Sequence, residues 1–234
     1  GAPMAHMTKV RGISNGASIL GSPLSKGWNS DFSRVAIALE MDPNSSYQEL
    51  MDQFMKRMAA PIRPMQVSNG PCKENILRGS DINLFNLPAP YLHEGDGGRY
   101  IDTFGVTATR DPDSDWVNWG VYRHMIHKKA IMGGIVNPYQ HVGMMYYQKY
   151  EARGNPMPFA IFFGGCPTSV IMGSMNPPAG VSEAEVAGGL RRGRRREFFC
   201  YSPRRGPASA GSITFPAAHA SWRPITRATS TASS

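Results

Sequence analysis

The sequence predicts a mixed α/β (α+β) domain in which helices flank an antiparallel sheet, followed by an irregular C-terminal tail. Three observations support this fold class: a helix start before a one-sided apolar pattern near residue 50, two extended segments joined by a turn after residue 100, and the lack of either period in residues 191–234. Of the 234 residues, 41% are hydrophobic, which suffices for the core of one large domain or two small ones.

Residues 46–60 carry a clear helix pattern. Ser46 and Glu49 have the spacing of a capping box, in which each side chain accepts a hydrogen bond from a backbone N–H group of the other residue. The pattern predicts a helix that runs to about Ala60 and packs one face against the core. The apolar residues on that face are Leu50, Met51, Phe54, Met55 and Met58.

The segment Ile101–Thr109 alternates between apolar residues and threonines, as expected of a half-buried strand. The turn residues Asp111-Pro112-Asp113 follow it, and Trp116–Met125 then continues in extended form. This order predicts an antiparallel hairpin. The predicted strand has Phe104, Val106 and Ala108 on one face and Thr103, Thr107 and Thr109 on the other.

A helix and a buried strand are predicted downstream. Pro138 suits the first turn of a helix from about Tyr139 to Arg153, and Gly154 suits its C-terminal end. Phe159–Phe163 is a continuous apolar run, which is typical of a fully buried strand.

Two predicted helix starts suggest a binding site for an anion. Ser182 and Glu185 form a second capping-box pair, which places Glu183 in the first helical turn, and His141 lies near the start of the preceding helix. Helix N-termini supply free N–H groups and a positive dipole end, so a phosphate-binding cleft is plausible here.

Asn118, His141 and Glu183 could together bind a divalent cation. An amide oxygen, an imidazole nitrogen and a carboxylate suit Mn²⁺ or Mg²⁺, whereas structural zinc would require thiolates, and no cysteine lies in these motifs. On chemistry alone, the three residues are more often a buried amide, an ordinary histidine and a first-turn helix acid than a metal site. Arg123 follows Asn118 by an odd number of positions, so a regular strand would point the two to opposite faces unless a bulge near Gly120 intervenes.

Cysteine usage and hydropathy indicate a cytoplasmic protein without a membrane partner. Cys72, Cys166 and Cys200 lie far apart without CxxC spacing, so we expect reduced thiols rather than a disulfide framework or a zinc ribbon. No run of about 18 apolar residues could span a bilayer, and the first residues lack the features of a signal peptide.

The net charge of +8 belongs to the tail. Residues 1–190 contain 16 basic and 16 acidic residues, whereas residues 191–234 contain nine arginines and one acid, Glu197. One interpretation is a disordered basic arm that binds nucleic-acid phosphates. The other, which we favour, is translation of a GC-rich gene in a shifted frame. The aromatic residues that could stack on bases in the first case are Phe198, Phe199, Tyr201 and Trp222.

Three sequence runs resemble the UbiD family of prenylated-FMN-dependent decarboxylases. They are NWGVYRHMIHKK from Asn118, NPYQHVG from Asn137 and NPMPFAIFFGGCPTSVIMGSMNPPAGVSEAEVAGGLRR from Asn155. The similarity covers roughly residues 8–192. It implies that residues 1–190 are a flavin-binding core with a split-barrel-like sheet and an incomplete N-terminal domain, and that residues 191–234 are a separate tail, disordered or frameshifted.

The resemblance implies a cofactor site. Asn118, His141 and Glu183 match the family's ligands for Mn²⁺, which bridges to the phosphate of prenylated FMN, and K⁺ is expected nearby, close to Trp119 and Ser174-Met175. Arg123 matches the catalytic arginine beside the substrate carboxylate. The residues that match the cofactor-binding positions are Asn118, Trp119, Val121, Tyr122, Arg123, Gln140, His141, Ser174, Met175 and Glu183.

The implied reaction is reversible, non-oxidative loss of CO₂ from a small aromatic or α,β-unsaturated carboxylic acid. The modified flavin serves as the electron sink until a glutamate delivers the proton. Family members are homo-oligomers, but we expect the oligomerisation domain to be absent from this chain.

Departures from the family pattern keep other functions open. Asn176 stands where many relatives have proline, Lys128 replaces an acid, and no acid follows Glu197, although the family's two catalytic glutamates lie downstream of the metal-binding one. We therefore expect a truncated core with impaired activity. The alternatives are a noncatalytic subunit of a multi-component aromatic carboxylase that works with a paralogous partner and, more distantly, nucleic-acid binding through the tail.

Overall fold

The computed structural model describes residues 3–27, 31–64, 75–191 and 212–214. In chain order, the strands and α-helices are β1 (Ala5–Met7), β2 (Ile19–Gly21), α1 (Ser33–Ala38), α2 (Tyr47–Met58), β3 (Tyr100–Ile101), β4 (Val106–Arg110), β5 (Val117–Gly120), β6 (His124–Lys128), β7 (Ile131–Gly134), α3 (His141–Met145), β8 (Phe159–Phe162), α4 (Pro167–Gly173), α5 (Glu183–Leu190) and β9 (Ser212–Thr214). Short 3₁₀ helices lie at Gly79–Asp81, Leu84–Asn86 and Glu151–Arg153, and a π-helical turn lies at Tyr146–Tyr150.

The described strands form three antiparallel sheets with the orders β1-β2, β3-β6-β7 and β5-β4-β8-β9. The predicted fold class, with antiparallel sheets and flanking helices, is confirmed. The predicted hairpin is present as the pair β4 and β5, in which Thr109 lies directly opposite Asn118. Strand β9 adds an edge strand from within the predicted tail.

The sheet β5-β4-β8-β9 has an apolar core on each face. Val106 and Ala108 of β4 face a core built with α1, α2, α4 and α5, whereas Phe159 and Ile161 of β8 face a second core built with α3. The threonines Thr107 and Thr109 pair with Ile161 and Phe159, and both are fully buried. The prediction of a half-buried strand was therefore wrong, because helices cover both faces of this sheet.

The predicted continuous strand Ile101–Thr109 is broken in two. Asp102 adopts a left-handed backbone conformation with φ of 54°, and the chain then turns before β4 begins. Phe104, which was expected in the core, lies in this turn with 45% of its surface exposed. The second predicted strand is likewise divided, since β5 ends at Gly120 and β6 joins a different sheet.

Helix α2 and its capping box are confirmed. The Ser46 side chain accepts a hydrogen bond from Glu49 N at 3.3 Å, and the Glu49 carboxylate accepts one from Ser46 N at 2.8 Å. Leu50 and Phe54 are buried as predicted. Met55 is 59% exposed, so its assignment to the core was wrong.

The predicted helix 139–153 is present in modified form. Gln140 is extended, so α3 begins at His141, and the π-helical and 3₁₀ turns continue it to Arg153. Gly154 ends it in the left-handed conformation with φ of 67°, as predicted. The predicted buried strand is confirmed as β8.

The second predicted capping box is absent. Ser182 precedes α5 as expected, but its hydroxyl donates a hydrogen bond to the carbonyl oxygen of Val117 at 3.1 Å instead of capping the helix. The hydroxyl thus ties the start of α5 to β5. Glu183 lies in the first turn, as predicted.

Most of the tail prediction concerns residues outside the described part of the chain, as do the predictions for Cys72 and Cys200. Cys166 is a free thiol, as expected. In the described residues, no helix has both the length and the apolar character needed to cross a membrane.

We predict that Gly188→Ala destabilises the fold. A Cβ atom at Gly188 would lie 2.2 Å from the carbonyl oxygen of Ile62, which packs against α5 and whose N–H group donates to Glu185 O. Separating the two segments should cost about 1–3 kcal/mol in the free energy of unfolding, measured by urea denaturation. Gly95→Ala is the matched control, since nothing lies near its Cβ position. Equal stability of the two variants would contradict this packing.

Candidate metal and cofactor site

Three elements bring the predicted metal ligands into one region. Asn118 lies in β5, His141 opens α3 and Glu183 opens α5, and all three side chains are buried. His141 Nδ1 lies 3.8 Å from Glu183 Oε1. Glu183 Oε2 accepts a hydrogen bond at 2.9 Å from the backbone N–H of Trp119, the neighbour of Asn118.

Glu183 is the most constrained of the three. Its side chain is fully buried, and within the described part of the chain Oε1 has no hydrogen-bond partner. Burial raises the pKa of Glu183 to about 7, against the opposing effect of the Trp119 hydrogen bond. A buried carboxylate without a full set of donors is unfavourable unless it holds a proton or contacts a cation. The environment of Glu183 therefore fits a cation ligand.

His141 is suited to act as a neutral ligand. Burial lowers the pKa of its imidazole, and a metal ligand must be unprotonated. The edge of the Trp116 ring system fixes the imidazole plane, with ring centroids 5.1 Å apart and an interplanar angle of 74°. Trp116 is itself held because its Nε1 donates to the carbonyl oxygen of Val181 at 3.0 Å.

Asn118 and Tyr122 complete the polar group. Asn118 Nδ2 donates to Thr109 Oγ1 at 3.3 Å. Burial raises the pKa of the Tyr122 phenol, and hydrogen bonds to the Asn118 side chain and the Val142 backbone oppose this shift. A Cβ atom at position 120 would lie 2.3 Å from the Tyr122 ring, so the phenol is placed here because residue 120 is glycine.

A cavity of about 420 Å³ lies beside these side chains. Eight of the ten residues predicted to bind the cofactor line it. Glu183 is not in the lining, but its Oε1 lies 3.8 Å from Nδ1 of His141, which is. The lining residues are Asn118, Trp119, Gly120, Val121, Tyr122, Gln140, His141, Gly173, Ser174, Met175 and Asn176.

Arg123 lies outside that lining. Its side chain is exposed, and its guanidinium carbon lies 6.0 Å from the centroid of the Tyr100 ring. The odd spacing between Asn118 and Arg123 does not explain this position, because the two residues do not share a strand: β5 ends at Gly120, and β6 of another sheet begins at His124. The catalytic role of Arg123 remains a prediction.

Four residues at the site were not among the predicted site residues. Gly120 makes room for the Tyr122 ring, Gly173 accepts a backbone hydrogen bond from Val121 at 3.0 Å, and Thr109 contacts Asn118. Asn176 is part of the cavity lining. The two glycines carried a signal that could have found them, since each interrupts an apolar run where a backbone must approach closely. For Thr109 the sequence carried no such signal, because the predicted hairpin left the register open, and the structure places Thr109 opposite Asn118.

Comparison with known proteins assigns the family. The profile described as the UbiD 3-octaprenyl-4-hydroxybenzoate carboxy-lyase Rift-related domain matches residues 63–211, more than half of the chain. The chain belongs to the UbiD family. Among UbiD relatives, ferulic acid decarboxylase 1 of Saccharomyces cerevisiae is 37% identical over 181 residues, and pyrrole-2-carboxylic acid decarboxylase of Pseudomonas aeruginosa is 34% identical over 194 residues.

Solved UbiD-class structures share the fold. The closed form of vanillic acid decarboxylase from Sedimentibacter hydroxybenzoicus matches with a TM-score of 0.72 at 28% identity, over 81% of this chain and 39% of that one. A dimeric form of HmfF from Pelotomaculum thermopropionicum matches with a TM-score of 0.73 at 21% identity, over 89% of this chain and 47% of that one. The two curated relatives match over 74% and 81% of this chain, which spans 36% and 38% of their lengths.

We predict that Glu183 makes the stability of the metal-free chain depend on pH. Its pKa is raised from 4.5 to about 7, so between these values the folded state binds more protons than the unfolded state. Stability is then fully present below about pH 4.5 and falls as the pH rises towards 7, by on the order of 3 kcal/mol.

Glu183→Gln should remove this loss of stability, because the glutamine amide is neutral over the whole pH range. Urea unfolding of both proteins at about pH 5 and about pH 8 measures the difference between their pH dependences. Contributions from other groups, such as Asp102, whose burial also raises its pKa, are common to both proteins. Identical pH dependence in the two proteins would show that Glu183 is not buried as described.

Proposed function

We propose that this chain is the metal- and flavin-binding part of a UbiD-type decarboxylase that acts on aromatic or α,β-unsaturated carboxylic acids. The observation that carries the proposal is the buried Glu183 carboxylate, with one oxygen lacking a hydrogen-bond donor, beside the neutral imidazole of His141. The names of the relatives also support it, since they are decarboxylases of ferulic acid and pyrrole-2-carboxylic acid, and both compounds belong to this substrate class.

In this proposal Asn118, His141 and Glu183 hold Mn²⁺. A divalent cation would give the buried Glu183 carboxylate a positively charged partner. This attraction would lower the pKa of the carboxyl group and keep it ionised. The donor set of amide oxygen, imidazole nitrogen and carboxylate suits Mn²⁺ better than zinc, whose structural sites favour thiolates. Backbone groups near Trp119 and Ser174-Met175 would hold K⁺.

The cavity next to these ligands would receive prenylated FMN. HmfF is described in complex with prenylated FMN, which supports a flavin for this fold. When bound, the prenylated flavin supplies the electron sink needed for the loss of CO₂ from an sp² carbon. The residues proposed to line it are Trp119, Val121, Tyr122, Gln140, Ser174 and Met175.

The remaining tasks fall to side chains of this chain. The buried residues around Glu183 exclude water from the charged centre, which strengthens the electrostatic interactions there. Arg123 is proposed to bind the substrate carboxylate. Its guanidinium group packs against Tyr100 and is exposed, so it is available to an anion, and its planar group suits bidentate binding of a carboxylate.

A second candidate function is that of a noncatalytic subunit in a multi-component aromatic carboxylase. The observation in its favour is the vanillic acid decarboxylase neighbour, whose name, ShVdcCD, includes a component ShVdcD. Purification from the native source separates the candidates. A subunit would co-purify with a paralogous chain in a fixed ratio, whereas an independent decarboxylase would not.

We predict that Glu183→Gln abolishes tight Mn²⁺ binding. Loss of a charged ligand should cost more than the roughly 100-fold in affinity that changes of supporting residues cost. Anaerobic reconstitution with Mn²⁺ and prenylated FMN, followed by electron paramagnetic resonance of free Mn²⁺ and by flavin absorbance, measures both components.

Glu185→Gln is the matched control, because Glu185 lies in the same helical turn with its side chain 42% exposed. Among the described residues, Glu185 pairs with Arg63 through a long contact of 4.0 Å. The control should bind Mn²⁺ as the wild type does. Unchanged Mn²⁺ and flavin binding in Glu183→Gln would refute the assigned site.

A further inference from the structure

The hydroxyl group of Thr109 lies between two elements that carry the proposed metal ligands. Thr109 stands in the middle strand β4, directly opposite Asn118 of β5. Its Oγ1 accepts a hydrogen bond from Asn118 Nδ2 at 3.3 Å and donates one to the sulfur of Met145 at 3.6 Å. Met145 lies in α3, one helical turn after His141. A single buried hydroxyl thus contacts the side chain of one ligand and the helix of another.

The direction of these hydrogen bonds determines which end of the Asn118 amide is available. A thioether sulfur only accepts hydrogen bonds, so the hydroxyl proton points to Met145 and the hydroxyl oxygen remains as an acceptor. The matching donor on Asn118 is its NH₂ group. The oxygen is then the amide atom left for a cation, and a neutral amide coordinates metals through oxygen.

The second neighbour of the amide agrees with this orientation. The hydrogen bond between the Asn118 side chain and the Tyr122 hydroxyl acts to lower the pKa of the phenol, as a bond donated by the amide NH₂ group does. A phenol can also donate, so Tyr122 alone would not exclude the reverse orientation. Thr109, whose proton is directed to Met145, is the contact that fixes the NH₂ group.

We propose that Thr109 is a positioning residue that turns the oxygen of the Asn118 amide towards the cation. This inference rests on the proposed metal site and adds to it a residue outside the ligand set. It predicts that the hydroxyl of Thr109 matters for metal affinity although Thr109 does not line the cavity. It also predicts that the effect depends on residue 118 being an amide.

The first test is Mn²⁺ binding by Thr109→Val in the full chain, measured by electron paramagnetic resonance without flavin. Valine has nearly the same shape as threonine but lacks the hydroxyl, so the affinity should fall by roughly 10–100-fold, as is typical for loss of a residue that supports a ligand. Thr109→Ser, which retains the hydroxyl, should restore binding to nearly the wild-type level. Should Thr109→Val not fold, Thr109→Ala removes the same hydroxyl and should show the same loss.

Thr107→Val is the matched control. Thr107 lies two positions earlier on the same face of β4 and is equally buried, but its hydroxyl donates to Asp102 Oδ2 at 3.0 Å. The Thr107→Val variant loses a buried hydroxyl from the same strand but keeps the contact between Thr109 and Asn118. Its Mn²⁺ affinity should remain within about twofold of the wild type. A loss as large as that of Thr109→Val would show a general effect of strand damage and would overturn the proposal.

A double-mutant cycle isolates the orientation effect. In Asn118→Asp, both side-chain atoms that could face the cation are oxygens, so no group is needed to choose between them. Thr109→Val should therefore cost at least fivefold less in Mn²⁺ affinity in the Asn118→Asp background than in the wild type. Equal losses in both backgrounds would overturn the role of Thr109. Unchanged Mn²⁺ binding in Glu183→Gln would instead overturn the metal site itself.

Discussion

Burial of the Glu183 carboxylate is the constraint on which the site depends. Removing an ionised carboxylate from water costs several kcal/mol unless hydrogen bonds or a cation replace the lost hydration. The fold supplies the N–H group of Trp119 to Oε2 and leaves Oε1 without a donor among the described residues. The pKa of Glu183 rises to about 7 because the effect of burial exceeds that of the hydrogen bonds. A divalent cation shared with His141 and Asn118 would offset the effect of burial.

The architecture makes this burial possible because β4 is covered on both faces. Helix α5 packs against β5 on one side and brings Glu183 to the backbone of Trp119, and the Ser182 hydroxyl fixes the same junction through Val117 O. On the other side, Met145 of α3 accepts a hydrogen bond from Thr109, and His141 opens the same helix. The ligands therefore come from elements on opposite faces of one sheet. Their meeting point lies at β5, the edge strand of the described sheet next to the cavity.

Much of this arrangement could be predicted from the sequence, and the exceptions have identifiable causes. The α2 capping box and the Gly154 helix end depend on interactions within a few residues, so local patterns predicted them. The break at Asp102 was missed although the alternation fails there, because an acid at this position falls on the face of Phe104 and Val106, and the left-handed backbone of Asp102 ends the extended segment. The Ser182 hydroxyl was assigned to the wrong partner because β5, 65 residues away in sequence, competes for it.

In the candidate site too, some features follow from the sequence and others only from the structure. The three metal ligands and most of the residues that line the cavity were named from three sequence runs, and the structure brings Asn118, His141 and Glu183 to one region. Arg123 is not part of the cavity lining, because the strand that carries Asn118 ends at Gly120. Gly120 contacts Tyr122, which follows β5, and Thr109 of β4 contacts Asn118 of β5. Predicting the Thr109 contact would have required the register of the sheet, which the sequence does not provide.

A crystal structure of the chain grown with Mn²⁺, with anomalous diffraction recorded at the manganese absorption edge, tests the central claim most directly. We expect one anomalous peak at about 2.0–2.4 Å from the Asn118 amide oxygen, a His141 ring nitrogen and Glu183 Oε1, the range typical of metal–nitrogen and metal–oxygen bonds. A map without a peak between these three side chains, with Glu183 Oε1 bonded to a protein donor instead, would contradict the account.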